Sequence, residues 1–160
     1  MEFIVRQARF EDYERLKVIY NDFIEDMNQY DPTDCNMDDE INNWITNGLN
    51  KKKSVIYIAE LDEDILGFIR LQNKERLEEN KTIRYIKLSD LFVAPMFRKI
   101  GVASSLINQA YMFARENHST EIVLNVYETN TKATDFYVKQ DFKFHETLTL
   151  NRVRMIRELK

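Results

Sequence analysis

Apolar positions recur along this chain with two periods. From Phe10 to Gln29 the residues Leu16, Ile19, Tyr20, Phe23, Ile24 and Met27 fall at three- and four-residue intervals, which predicts a helix with one apolar stripe. Asp31-Pro32 breaks that pattern. A second helix is expected from about Asp38 to Asn50, with Ile41, Trp44, Ile45 and Leu49 on one face and Asn36 or Asp38 as its cap. The run Arg98 to His118 reads as a third helix, burying Val102, Leu106, Ile107, Ala110, Phe113 and Ala114. Asn130 to Gln140 reads as a fourth, with Asn130 as its cap.

Between these lie strand patterns. Residues 3–8 make a first strand. Val55–Leu61 and Ile65–Leu71 form a hairpin turned by Asp62-Glu63-Asp64. Residues 73–82 are too polar for a core and are expected to form a loop. Arg84 to Ala94 is the fourth strand, ended by Pro95, which cannot donate to a ladder. Glu121–Val126 is the fifth, and Phe142 to Leu159 holds two more. Helices and strands in this order need both parallel crossovers and antiparallel hairpins, hence a mixed α/β (α+β) sheet covered by helices.

Composition narrows the classes. A chain of 160 residues with 44% hydrophobic and 31% charged content predicts one globular domain over 1–160. The apolar runs are too short to span a bilayer, and the first residues lack a signal-peptide core. Net charge is −4 with no basic stripe, which argues against nucleic-acid binding. That acidity would suit a cationic substrate and is equally ordinary for a soluble protein. Lys51-Lys52-Lys53 reads as the solvated end of a helix. Cys35 is the single cysteine, so the chain forms no internal disulfide, and a cytoplasmic location is the simplest expectation. With no partner motif nearby, Cys35 reads as an incidental thiol. His118 and His145 lie in no ligand-like spacing, so no metal is expected.

The segment Arg98-Lys99-Ile100-Gly101-Val102-Ala103-Ser104 joins a strand to a helix. Amides at a helix N-terminus lack intrahelical partners, and the helix dipole is positive there, so such a turn can hold phosphate. A second segment runs from Asn130 through Ala133, Phe136 and Tyr137 to Phe142. Together the two resemble the signature of the GCN5-related N-acetyltransferase (GNAT) family. The first matches its Arg/Gln-x-x-Gly-x-Gly/Ala loop at Arg98, Gly101 and Ala103. The second matches Asn-x-x-Ala-x-x-Phe-Tyr-x-x-x-Gly-Phe except at Asp141, which replaces a glycine. Asp tolerates the left-handed conformation better than most residues.

The resemblance implies a single-domain fold with a mixed, mostly antiparallel sheet. It also implies helices on both faces and a splay between the fourth and fifth strands. It implies acetyl-CoA as co-substrate, its pyrophosphate held by the loop from Lys99 to Ser104, with Arg98 adding charge. The backbone of Leu91-Phe92-Val93 would pair with pantetheine, and one N–H there would steady the oxyanion. Asn130 would bond the pantetheine arm, and Tyr137 would protonate the leaving thiolate, since a phenol of pKa about 10 can serve a thiolate of about 8.5. As alternatives, Arg98 reads as a surface arginine, and Tyr137 as an aromatic packed beside Phe136. The general base is open: some family members carry Glu where Ser89 stands, leaving Asp90, Glu128, Glu25 and Asp26. The aromatics Tyr30, Trp44 and Tyr57 would line a substrate pocket or, by default, the core. The expected function is acetyl transfer to a small-molecule or peptide amine. The rival is an inactive acyl-CoA-binding regulatory module. A homodimer is compatible with either.

Overall fold

In a computed structural model the strand-like runs pair into one sheet. The structure describes residues 2–30, 37–49 and 54–159. The strands are β1 (Ile4–Gln7), β2 (Ser54–Leu61), β3 (Asp64–Glu78), β4 (Lys81–Val93), β5 (Glu121–Tyr127), β6 (Lys143–Thr147) and β7 (Arg152–Glu158). The helices are α1 (Tyr13–Met27), α2 (Met37–Leu49), α3 (Val102–Glu116) and α4 (Thr131–Lys139). Among the described residues the sheet has seven strands in the order β1-β2-β3-β4-β5-β7-β6. β4 and β5 run parallel, while β1–β2, β5–β7 and β6–β7 are antiparallel. No described helix is long and apolar enough to cross a membrane. Cys35, Asp31-Pro32, Asn36 and Lys51–Lys53 lie outside the described residues.

Two departures from the sequence reading stand out. Residues 73–82 are not a loop: β3 runs on to Glu78, and β4 starts at Lys81. Glu79 and Asn80 both take positive φ, 51° and 65°, which gives the tight reversal that matches strand twist. The polarity that argued against a strand is satisfied by charge pairing along the hairpin. Arg84 pairs with Glu75 at 3.4 Å, and Arg76 with Glu78 at 3.1 Å. Helix α3 is also shorter than expected. It begins at Val102, because Lys99 (φ 67°) and Gly101 (φ 92°) leave the helical region.

The chain folds as two compact units, one of residues 1–70 with 90–109, the other of 71–89 with 110–160. In the first, the α1 and α2 stripes pack on β2, β3 and β4. Leu16, Ile19, Tyr20, Ile41, Trp44 and Ile45 join Ile56, Ile58, Phe68 and Phe92 in one cluster. Trp44 stacks on Tyr20 at 4.0 Å and 14° and meets Phe68 edge-on at 5.0 Å, so it is a core residue rather than a pocket wall. Gly67 is needed for close approach, since a Cβ there would sit 2.6 Å from the Phe92 carbonyl oxygen. In the second unit the buried residues include Ile86, Leu88, Ile122, Leu124, Val153 and Met155, with Phe142 beneath the end of α4.

One charged cluster in the first unit escaped the sequence reading. Arg6 donates from Nη1 and Nη2 to both oxygens of Asp12 at 2.8 Å each, and from Nε and Nη2 to Glu60 at 3.1 and 2.9 Å. Arg15 Nη2 bridges the same two carboxylates at 2.6 and 2.7 Å. The Asp12 side chain is only 3% exposed. The Arg6 hydrogen bonds, outweighing burial, hold its carboxyl well below the usual range, and they lower Glu60 as well. Stability from a lowered carboxyl is present above its unfolded pKa of about 4 and is lost as pH falls through the folded value. Asp12→Asn should therefore cost about 1.5–3 kcal/mol at neutral pH, because it weakens the charge-assisted hydrogen bonds to a buried carboxylate while both arginines keep Glu60. Urea melts of both proteins at neutral and acid pH check this: the gap should narrow in acid, and a gap independent of pH would refute it.

Candidate active site

Beyond Val93 the chain makes a single 3-10 turn, Pro95–Phe97, and Arg98 follows in extended conformation. The Ser105 N–H donates to the Gly101 carbonyl at 3.0 Å, the first helical bond of α3. The amides of Val102, Ala103 and Ser104 thus precede that bond at the positive end of the dipole. Val102 is buried and anchors the turn, while Ile100 is 44% exposed. A Cβ on Gly101 would meet nothing within 4 Å, so the turn is open on that side.

Arg98 does not extend from this turn. Its Nε donates to the Val93 carbonyl at 2.8 Å, its guanidinium lies 5.6 Å over the Phe92 ring, and Nη2 is 3.8 Å from Asp26. Arg98 therefore braces the end of β4.

The parallel ladder between β4 and β5 runs from Tyr85↔Glu121 to Leu88↔Leu124. β4 continues to Val93 and β5 to Tyr127 without further register partners between them. The backbone of Leu91-Phe92-Val93 lies in that unladdered stretch. The Phe92 side chain meanwhile packs on Phe23 at 5.6 Å and Phe68 at 6.1 Å. Side-chain packing and a backbone edge past the ladder coexist at these residues.

In the second unit Asn130 caps α4, its Oδ1 accepting the Ala133 N–H at 3.2 Å. The helix ends in a Schellman arrangement. Phe142 N–H donates to the Tyr137 carbonyl at 3.0 Å and Asp141 N–H to the Val138 carbonyl at 3.1 Å. Asp141 sits at φ 66°, the conformation its replacement of a glycine requires. Tyr137 is 8% exposed, with its ring 5.5 Å from Phe136 and 5.6 Å from Phe142.

The four carboxylates left open as bases are placed differently. Asp90 accepts the Trp44 indole N–H at 2.7 Å, which orients it. Asp26 faces Arg98, while Glu25 and Glu128 are exposed. Ser89 Oγ is buried and makes no hydrogen bond. The described residues include no group of three or more His, Cys, Asp or Glu placed to hold a metal. The Trp44–Asp90 contact had no signal in the sequence, since its partners stand 46 positions apart.

Known proteins are similar to this chain in sequence and in fold. An N-acetyltransferase of Archaeoglobus fulgidus, itself uncharacterized, is 29% identical over 109 residues, covering 68% of this chain and 73% of its own length. Streptothricin acetyltransferase A of Bacillus subtilis is 36% identical over 86 residues, or 54% of this chain and 46% of its own. The fold is similar to that of Arabidopsis thaliana NAA60 crystallised with acetyl-CoA. The TM-score is 0.77 at 17% identity, covering 99% of each chain. The model of the acetyltransferase (GNAT) family matches residues 16–142, and with that match across most of its length this chain belongs to the GNAT family.

Proposed function

We propose that this GNAT acetyltransferase carries an acetyl group from acetyl-CoA to a primary amine by direct attack, acting as one domain over residues 1–160. The observation that carries the reading is the end of the β4–β5 ladder at Leu88↔Leu124, followed within one strand end by the α3 N-terminus. The amides of Val102, Ala103 and Ser104, with Lys99, Ile100 and Gly101 shaping the turn, receive the pyrophosphate. Arg98 contributes by bracing Val93, where the Leu91–Val93 backbone pairs with pantetheine. Asn130 spends Oδ1 on its cap and keeps Nδ2 to donate to the pantetheine arm.

In the reaction the neutral amine attacks the thioester carbonyl, and an N–H of Leu91–Val93 stabilises the oxyanion. The C–S bond then breaks, and Tyr137 gives its proton to the thiolate. The amine, with a pKa near 10.4, first loses a proton to water; its second proton leaves to water as the amide forms, and Tyr137 is reprotonated from water. A cytoplasmic location and a small-molecule or peptide acceptor complete the proposal. The single cysteine supports the location.

Calorimetry tests the cofactor step. Acetyl-CoA should bind and raise the melting temperature, by about 2.7 kcal/mol of added stability at a hundredfold excess over Kd. Absence of binding at millimolar concentration would overturn the reading. Thiol release with a mixed amine panel separates transfer from an acyl-CoA-binding module that turns nothing over.

A further inference from the structure

The registers of the second unit place side chains in rows, because partners across a ladder point to the same face. Lys87 stands opposite Val123, Val123 opposite Ile156, and Ile156 opposite Lys143. This row is two apolar residues flanked by two lysines, whose Cα atoms are three strand spacings, or about 14 Å, apart. One row toward the end of the β4–β5 ladder stand Asn125, Arg154 and Glu146. One row the other way stand Tyr85, Glu121 and Glu158. These residues, except Glu146, line a cleft of about 1140 Å³.

The charges on this face are unevenly spent. Arg154 pairs with Glu146, and Arg76 pairs with Glu121 while lying over the Tyr85 ring at 5.2 Å. Glu158 is exposed at the outer row. Lys87 and Lys143 make no ion pair among the described residues. Asn125 Oδ1 is buried without a hydrogen bond, a state that is unfavourable unless a donor arrives. Asn125 is also the first β5 residue past Leu124, the last one laddered to β4.

We propose that this face holds the acyl acceptor, and that the acceptor is an amine on an apolar body that also carries a carboxylate, as in a short peptide. This rests on the acetyl-transfer reading. The N–H groups of the acceptor's amine end meet Asn125 Oδ1, its body lies on Val123 and Ile156, and its carboxylate meets Lys87 or Lys143. One row is two residues deep, about 6.8 Å, which is the reach of a dipeptide. Glu158, exposed in the outer row, repels a carboxylate that overshoots.

The test titrates CoA into the protein, then L-leucyl-L-leucine or its C-terminal amide into the CoA-loaded protein. Thiol release measures kcat/KM for both dipeptides with acetyl-CoA. The free acid should be favoured about tenfold or more over the amide, the size of one charge-assisted contact. That ratio should fall toward one in Lys87→Met combined with Lys143→Met, and Lys87→Arg should keep it. Equal binding of acid and amide, no dipeptide binding, or a ratio that survives the double substitution would overturn the proposal. So would a dimer in solution that buries Lys87 and Lys143. Failure of CoA to bind in the first titration points instead to the acetyl-transfer reading, so the two failures are told apart.

Discussion

Replacing Gly101 by Glu is expected to remove CoA binding while the protein still folds. The backbone there sits at φ 92°, which L side chains rarely adopt, so any side chain adds strain of about 1–3 kcal/mol. Steric clash is not the cause, because a Cβ meets nothing within 4 Å. The larger effect is electrostatic: a carboxylate beside the Val102–Ser104 amides occupies the space an anion would take and repels it. Like-charge juxtaposition costs several kcal/mol, so affinity should fall by at least about 100-fold. Gly101→Ala separates the two effects, since it carries the strain without the charge and should lose far less affinity. Calorimetry with CoA and a melting curve on each variant give the answer. A Gly101→Glu protein that binds CoA like the parent would place the cradle elsewhere.

Tyr137→Phe should slow turnover by roughly 10- to 1000-fold, the usual range for a general acid, with CoA affinity little changed. The ring contacts to Phe136 and Phe142 survive the substitution. The loss in stability should stay within the 0.5–1.5 kcal/mol or so of one hydrogen bond. If Tyr137 only packs, the pattern reverses: turnover stays and any effect falls on stability. Rate, CoA affinity and melting temperature measured on this one variant decide between the two, and an unchanged turnover number removes Tyr137 from the mechanism.

Much of this protein is written in short-range pattern. The α1 and α2 stripes, the strand at Val55–Leu61, the Asn130 cap and the left-handed Asp141 each depend on neighbours within a few residues. Local stereochemistry alone dictates them. The turn at Arg98–Ser104 was legible for the same reason, although the helix start at Val102 was set by two positive φ angles that composition does not reveal.

Other features required the chain to fold back on itself. The hairpin at 73–82 looked like a loop because its strand character comes from ladder pairing and from the ion pairs of Arg76 and Arg84. The bridging of Asp12 and Glu60 by Arg6 and Arg15 joins residues as far as 54 positions apart. Trp44 finds Asp90 only across the packed core of the first unit. The row Lys87, Val123, Ile156, Lys143 exists only once three ladders have chosen their registers. Sequence by itself determined most of the elements, the 73–82 hairpin aside, and the family motif, because those arise from local sterics and hydrogen bonding. Tertiary structure alone decided where Arg98 points, which carboxylate is oriented and which charges face the cleft, because strand register and long-range pairing set them.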